Sequence, residues 1–246
     1  DAEAPAAGVS VDPKEIDNFT RMAAEWWDPA GKFRPLHKMN PLRVGYVRDS
    51  LCRHFGRDPL ARQPLDGLRI LDIGCGGGLL SEPIARLGAA RNIGVARAHA
   101  EDSGLDIDYR HTTAEALADA GERFDAVVSL EVVEHVADLD AFLTACCRLL
   151  DPKGVLLLST LNRTGRSFAM AIVGAEYVLR WLPRGTHNWR KFVRPSELAA
   201  SLRRAGARMT QLDGMTFNPL SDKWSVTRDL GVNYMAVAVP NGADGA

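Results

Sequence analysis

Leu68-Arg69-Ile70-Leu71-Asp72-Ile73-Gly74-Cys75-Gly76-Gly77-Gly78-Leu79-Leu80-Ser81 decides how the rest of the chain is read. An apolar run carrying one acid reaches a glycine-dense turn, and residues of helical character follow. That order specifies a buried parallel strand, a tight loop and a helix start. Glycines carry no Cβ, so backbone N–H groups of the loop can approach a ligand closely. The spacing then discriminates among nucleotide-type ligands. A dinucleotide fingerprint, Gly-x-Gly-x-x-Gly, needs its last glycine where Leu79 stands. The pattern present is Asp72-x-Gly74-x-Gly76-x-Gly78, with a carboxylate ahead of the first glycine. That carboxylate would repel a pyrophosphate and attract a cation. S-adenosylmethionine carries a sulfonium and an ammonium and no phosphate, so the spacing favours it.

The chain has 246 residues, 46% hydrophobic and 25% charged, which suits one α/β domain with a sizeable core. A net charge of -1 supplies no drive towards nucleic acid. Cys52, Cys75, Cys146 and Cys147 have neither metal-type nor disulfide-framework spacing, which favours a reducing compartment. Cys75 reads as a small filler in the loop. No apolar run has the length of a spanning helix. Residues 1–10 read as a disordered tail without a secretory pattern, and 11–246 as a single domain. Within it, 11–66 form an N-terminal helical lid and 163–192 an amphipathic cap insertion.

A helix is expected from Asp12-Pro13, with Phe19, Met22, Ala23, Trp26 and Trp27 on one apolar face as core or as a wall over the site. Asp28 to Pro41 reads as an irregular loop and Leu42 to Phe55 as a helix. Arg43 there is either a solvated charge or a fork for a carboxylate. After the glycine loop, Leu79 to Leu87 is a helix closed by Gly88. Ala90 to Ala100 then repeats a helical pattern. The second strand of a doubly wound sheet, with its ribose-binding acid, is therefore missing near Ala89–Arg91. Asp106 to Arg110, Phe124 to Leu130 and Val155 to Thr160 read as strands, Asp138 to Leu150 and Ser196 to Ala205 as helices. Arg208 to Leu212 and Tyr234 to Val239 complete the chain as an antiparallel pair. Glu115 falls in the loop expected to flank an adenine. The resulting fold class is α/β, a Rossmann-like doubly wound sheet, mostly parallel with a C-terminal antiparallel strand.

Glu131, Glu134 and His135 follow an apolar strand at i, i+3 and i+4, which would put them on one helix face. Two carboxylates and an imidazole suit Mg²⁺ or Mn²⁺, a polar first turn, or a general base supplied by His135 or Glu131. Methyl transfer to oxygen is an SN2 displacement that needs a phenolate, which either a metal or a base would provide. From Gly165 to Gly185, Phe168 to Val173, Tyr177 to Leu179 and Trp181-Leu182 make an apolar face bracketed by Arg163, Arg166, Arg180 and Arg184. That is a cap over the site or an interfacial amphipathic helix. Thr186 to Phe192, including His187, reads as a polar loop near the pocket.

The glycine motif resembles the class I S-adenosylmethionine-dependent methyltransferases. Glu25-Trp26-Trp27-Asp28, Phe33-Arg34-Pro35-Leu36-His37, Asn40-Pro41-Leu42-Arg43, Glu131-Val132-Val133-Glu134-His135, Ser159-Thr160-Leu161-Asn162-Arg163 and Val232-Asn233-Tyr234-Met235 resemble, more narrowly, the ubiquinone-biosynthesis O-methyltransferases. That resemblance implies methylation of ring hydroxyls of polyprenylated phenols and catechols at two steps of ubiquinone synthesis. It implies S-adenosylmethionine contacts from Arg43, Gly74 and Leu130; the loop spacing adds Asp72, Gly76 and Gly78 to the expected cofactor site, and its place beside the adenine adds Glu115. It implies Mg²⁺ on Glu131, Glu134 and His135, and a cytoplasmic protein held peripherally at the inner face of the membrane. Other enzymes of ubiquinone synthesis are the implied partners, and nucleic acid is not. The family carries a further stretch, with the ribose-binding Asp, where this chain passes from Gly88 to Arg91.

Overall fold

A computed structural model describes residues 10, 26–29, 31, 33–89, 91–95, 105, 107–170, 188–218 and 220–242. Strand β1 (Arg69–Ile73) is central. It pairs in parallel with β2 (Arg91–Val95) on one side and with β4 (Phe124–Leu130) on the other. β3 (Ile107–Tyr109) adds outside β2, and β5 (Leu150–Leu161) outside β4, both parallel. β8 (Asn233–Pro240) lies antiparallel between β5 and β6 (Ala207–Asn218), and β7 (Lys223–Thr227) closes the far edge. The sheet order among the described residues is β3-β2-β1-β4-β5-β8-β6-β7.

Both faces of the sheet are covered, so the central strands are apolar throughout rather than alternating. One face presents Leu71, Val127, Leu156, Leu158 and Tyr234 to α3 (Ala114–Asp119), α4 (Leu139–Arg148) and α5 (Pro195–Arg204). The other presents Ile70, Ala126, Val128, Val155, Leu157 and Met235 to α1 (Arg34–Phe55) and α2 (Ser81–Arg86), through Tyr46, Val47, Leu51 and Ile84. This division fixes which polar side chains at the strand tips share a compartment.

Several expectations change. The second strand is present: Arg91–Val95 forms β2 in register with β1, Arg69 opposite Arg91 and Ile73 opposite Val95. Pairing on both sides overrides the helical pattern of the sequence. Helix α1 begins at Arg34, well before Leu42, with a proline in its first turn and Pro41 inside it. A proline costs no helical hydrogen bond at a helix start. α2 is only six residues long, and β7 was not foreseen. The expected helix over 12–25, the remainder of the expected helical pattern at 96–100 and residues 171–187 of the expected insertion lie outside the described residues. So do residues 1–9 of the expected tail, whereas Ser10 is buried and accepts a hydrogen bond from Ala137 N at 2.8 Å.

Leu71, with no exposed surface in the middle of β1, gives the packing a direct test. Leu71→Ala should cost about 2–5 kcal/mol of unfolding free energy, read by chemical denaturation. A loss below about 1 kcal/mol would mean that this layer is not close-packed.

Candidate functional site

The loop after β1 turns through three left-handed glycines, Gly74 (φ 73°), Gly76 (φ 56°) and Gly78 (φ 85°). Neighbouring side chains also occupy the space a Cβ would need. A Cβ on Gly74 would stand 2.5 Å from Val132 Cγ2, and one on Gly76 2.5 Å from Trp26 Cη2. Gly77 meets Trp26 Cβ in the same way, and Gly78 meets the Tyr109 hydroxyl. Conformation and packing thus both demand glycine here. Cys75 is buried, and burial pushes its thiol well above the ordinary range. It stays protonated, as a filler should.

Asp72 is buried at the end of β1, where its Oδ2 accepts a hydrogen bond from Ser81 Oγ at 2.5 Å. Burial pushes this carboxyl up to about 6, against the opposing effects of the Ser81 hydroxyl and the Arg43 guanidinium. Arg43 projects from α1, which covers the sheet face carrying Ile70 and Val128. It is 7% exposed, and its Nε has no hydrogen-bond partner. Burial lowers the guanidinium's pKa, while the charges of Glu131 and Asp72 act the other way. A buried guanidinium with an unmet donor is set for an anion.

Glu131 follows the buried Leu130 at the tip of β4, with φ at 59°. A non-glycine residue held there costs on the order of 1–3 kcal/mol. Ser159 holds it. The Glu131 amide donates to Ser159 O (3.1 Å) and Oγ (3.0 Å), and Ser159 Oγ donates to Glu131 Oε1 (2.7 Å). This left-handed residue breaks the helix that the Glu131, Glu134, His135 spacing suggested. Residues 131–137 are irregular with a single turn at 133–135, and α4 starts at Leu139, capped by Asp138 on Ala141 N.

The two carboxylates consequently diverge. Glu134 is buried and accepts from Thr160 Oγ1 at 2.8 Å. Ser159 and Thr160 are consecutive on β5, so their side chains leave opposite faces of the sheet. Glu131 follows Ser159 to the face of Arg43 and Asp72. Glu134 follows Thr160 to the face of Tyr234, which pairs with Thr160 and donates its hydroxyl to Val193 O at 3.0 Å. His135 remains in the turn, its amide bonded to Val132 O. Among the described residues no group of three or more His, Cys, Asp or Glu could hold a metal ion. The expected magnesium ligands do not fit as a set.

Glu115 opens α3, whose cap Thr113 accepts from Ala116 N. Both of its carboxylate oxygens are buried without a partner. Its charge helps push the Cys146 thiol on α4 upward, after burial. The entry to the insertion is fixed by Asn162 to Leu230 O (2.8 Å), Thr164 to Gly231 O (2.6 Å) and Trp189 to Thr164 O (2.9 Å). Arg163 pairs with Glu197 and Arg166 with Asp229. Both ion pairs lie at the entry to the expected amphipathic segment, most of which (171–182) is outside the described residues. Arg180, Trp181, Arg184 and His187 lie outside the described residues. Phe168 and Met170 are 46% and 53% exposed. A cleft of about 330 Å³ between α1 and the β6–β7 hairpin is lined by Tyr46, Arg53, Gln211 and Asp213, whose polar groups bond one another. It is separate from the glycine loop.

Sequence reasoning missed Ser81, Ser159 and Thr160 as the groups orienting the three acids. It also missed Asn40, whose Nδ2 donates to Leu79 O at 2.5 Å and ties α1 to the glycine loop. The available signal was hydroxyl side chains at the end of an apolar strand, where a carboxylate needs a donor.

A family model for a methyltransferase domain matches residues 45–212. The ubiquinone biosynthesis O-methyltransferase of Brucella anthropi is 57% identical over 240 residues, 94% of this chain and 97% of that protein. Its counterpart in Sinorhizobium fredii is 56% identical over the same shares. In fold, the chain matches magnesium protoporphyrin IX methyltransferase from Synechocystis with bound SAH (TM-score 0.56, 22% identity, 92% of this chain and 96% of that one). It also matches the plantazolicin methyltransferase BpumL in complex with SAH (TM-score 0.60, 13% identity, 93% and 99%). The glycine loop, the buried acid before it and this extent of identity agree: the chain belongs to the ubiquinone-biosynthesis O-methyltransferase family.

Proposed function

We propose that the corner formed by Arg43, Asp72 and Glu131 holds the methionyl end of S-adenosylmethionine and serves methylation of a ring hydroxyl on a polyprenylated phenol or catechol. One observation carries this reading. Arg43 is buried with an unmet donor, on the same sheet face as two carboxylates. A zwitterionic amino-acid end would satisfy the set, its carboxylate on Arg43 and its ammonium beside Asp72. Gly74, Gly76, Gly78 and Leu130 line the loop and strand tip, and Glu115 would take the adenine amino group on its unpartnered oxygens. Strand β2 carries no carboxylate for a ribose, and the next acids, Glu101 and Asp102, lie outside the described residues.

When bound, the cofactor supplies an electrophilic sulfonium methyl. The chain's own task is to orient the acceptor and remove its proton. Glu131, with one oxygen engaged by Ser159, is the base in this reading, and His135 is the second candidate. Ser159 and Thr160 hold Glu131 and Glu134 toward opposite faces of the sheet, so no step is routed through a magnesium ion shared by Glu131, Glu134 and His135. Phe168 and Met170 support an apolar surface for a prenyl tail and for peripheral contact with a membrane.

The direct test is transfer of labelled methyl from S-adenosylmethionine to a prenylated catechol. No transfer would overturn the function. Glu131→Gln should lower kcat by about 10²–10⁴-fold near neutral pH. It should recover as the pH approaches the acceptor's own ionisation, about 10 for a phenol. A larger loss in His135→Gln would move the base to the imidazole.

Asp72 yields a prediction of opposite sign for stability and binding. Its carboxyl lies higher when folded (about 6) than at the ordinary 3.8, so it weakens the native state as pH rises between those values. At about pH 7.5 Asp72→Asn should gain roughly 1–3 kcal/mol in unfolding free energy and lose S-adenosylhomocysteine binding. A variant less stable than the parent would contradict the burial argument.

A further inference from the structure

The face of the glycine loop at Gly76 and Gly77 is already covered. Trp26 brings its six-membered ring against Gly76 and its Cβ and Cγ against Gly77, at distances that leave no room for even a methyl group between ring and backbone. The indole is anchored from behind. It stacks on Phe33 with centroids 3.9 Å apart and planes at 10°, and the Trp26 carbonyl lies 2.8 Å from His37 Nε2 on α1. Val132 and Tyr109, on Gly74 and Gly78, belong to the strand tips that build the crevice. Trp26 arrives from the N-terminal segment and is held by two side chains of the same local stretch.

Loop glycines serve a ligand by exposing backbone N–H groups to it. A ring in van der Waals contact with Gly76 and Gly77 takes that surface. We propose that Trp26 is a displaceable cover of the cofactor loop, with the indole and the cofactor competing for the surface of Gly76 and Gly77. The proposal rests on reading Gly74 to Gly78 as the cofactor's loop. A site that is open for only a fraction of the time binds more weakly by that fraction. The Phe33 stack and the His37 contact set the closed fraction. Loosening either anchor raises affinity, whereas removing a wall that merely contacts the cofactor lowers it. The sign of the change therefore separates the two roles.

The test is calorimetric titration of the full chain with S-adenosylhomocysteine, comparing the parent, Trp26→Ala, Trp26→Phe and His37→Ala, each checked for fold by circular dichroism. Trp26→Ala should bind about 3- to 10-fold tighter than the parent, the scale set by one aromatic stack. His37→Ala should shift in the same direction by less, and Trp26→Phe should fall between parent and alanine. Tryptophan emission of the parent should change on titration, and that change should shrink in Trp26→Phe. Normal binding by the parent with equal or weaker binding in all three variants would overturn the cover and leave the cofactor site intact. Failure of every protein, the parent included, to bind would overturn the loop assignment and the cover with it.

Discussion

Two buried charges, Arg43 and Asp72, share one corner with the partly buried Glu131, and the surrounding structure is arranged to keep them there. Taking Arg43 and Asp72 out of water costs several kcal/mol per ion before attraction between them and the partly buried Glu131 repays it. The opposing shifts express that balance: burial pulls the guanidinium down and pushes Asp72 up, and the neighbouring charges pull each part of the way back. α1 must be long and tied to the loop through Asn40 to deliver Arg43. Ser81 must follow the loop closely enough to hold Asp72. Glu131 must accept a left-handed backbone so that its carboxylate meets Ser159.

The alternation of side chains along β5 then divides the acids between compartments. Ser159 keeps Glu131 on the face of Arg43 and Asp72, and Thr160 draws Glu134 into the opposite layer beside Tyr234. A helical reading of Glu131 to His135 would have gathered all three groups. Spacing alone cannot detect one residue whose φ is positive, and that residue decides the outcome.

Much of the fold was legible because burial on both faces writes continuous apolar strands at Ile70, Val127 and Leu156, and because glycines mark the loop. The helix beginning at Asp138 and the antiparallel pairing of β6 with β8 were equally plain. Arg91–Val95 was not legible, since Arg, Asn and Gly are poor strand formers and only pairing between β1 and β3 recruits them. The start of α1 was hidden because Pro35 and Pro41 resemble loop punctuation, although the first sits where a proline costs nothing. In the site, Asp72 and Arg43 were visible by type and position. The hydroxyls that orient the acids, and Trp26 against the loop, depend on contacts between distant segments.

Proton linkage tests the buried corner most directly. S-adenosylhomocysteine would be titrated calorimetrically near pH 6 in buffers of different ionisation enthalpy. An ammonium placed beside Asp72 favours its ionised form, so binding should release a fraction of a proton, most strongly around the raised pKa of about 6. That release should disappear well above this pH, where Asp72 is already charged. Binding with no proton exchange near pH 6, or with proton uptake, would contradict the account.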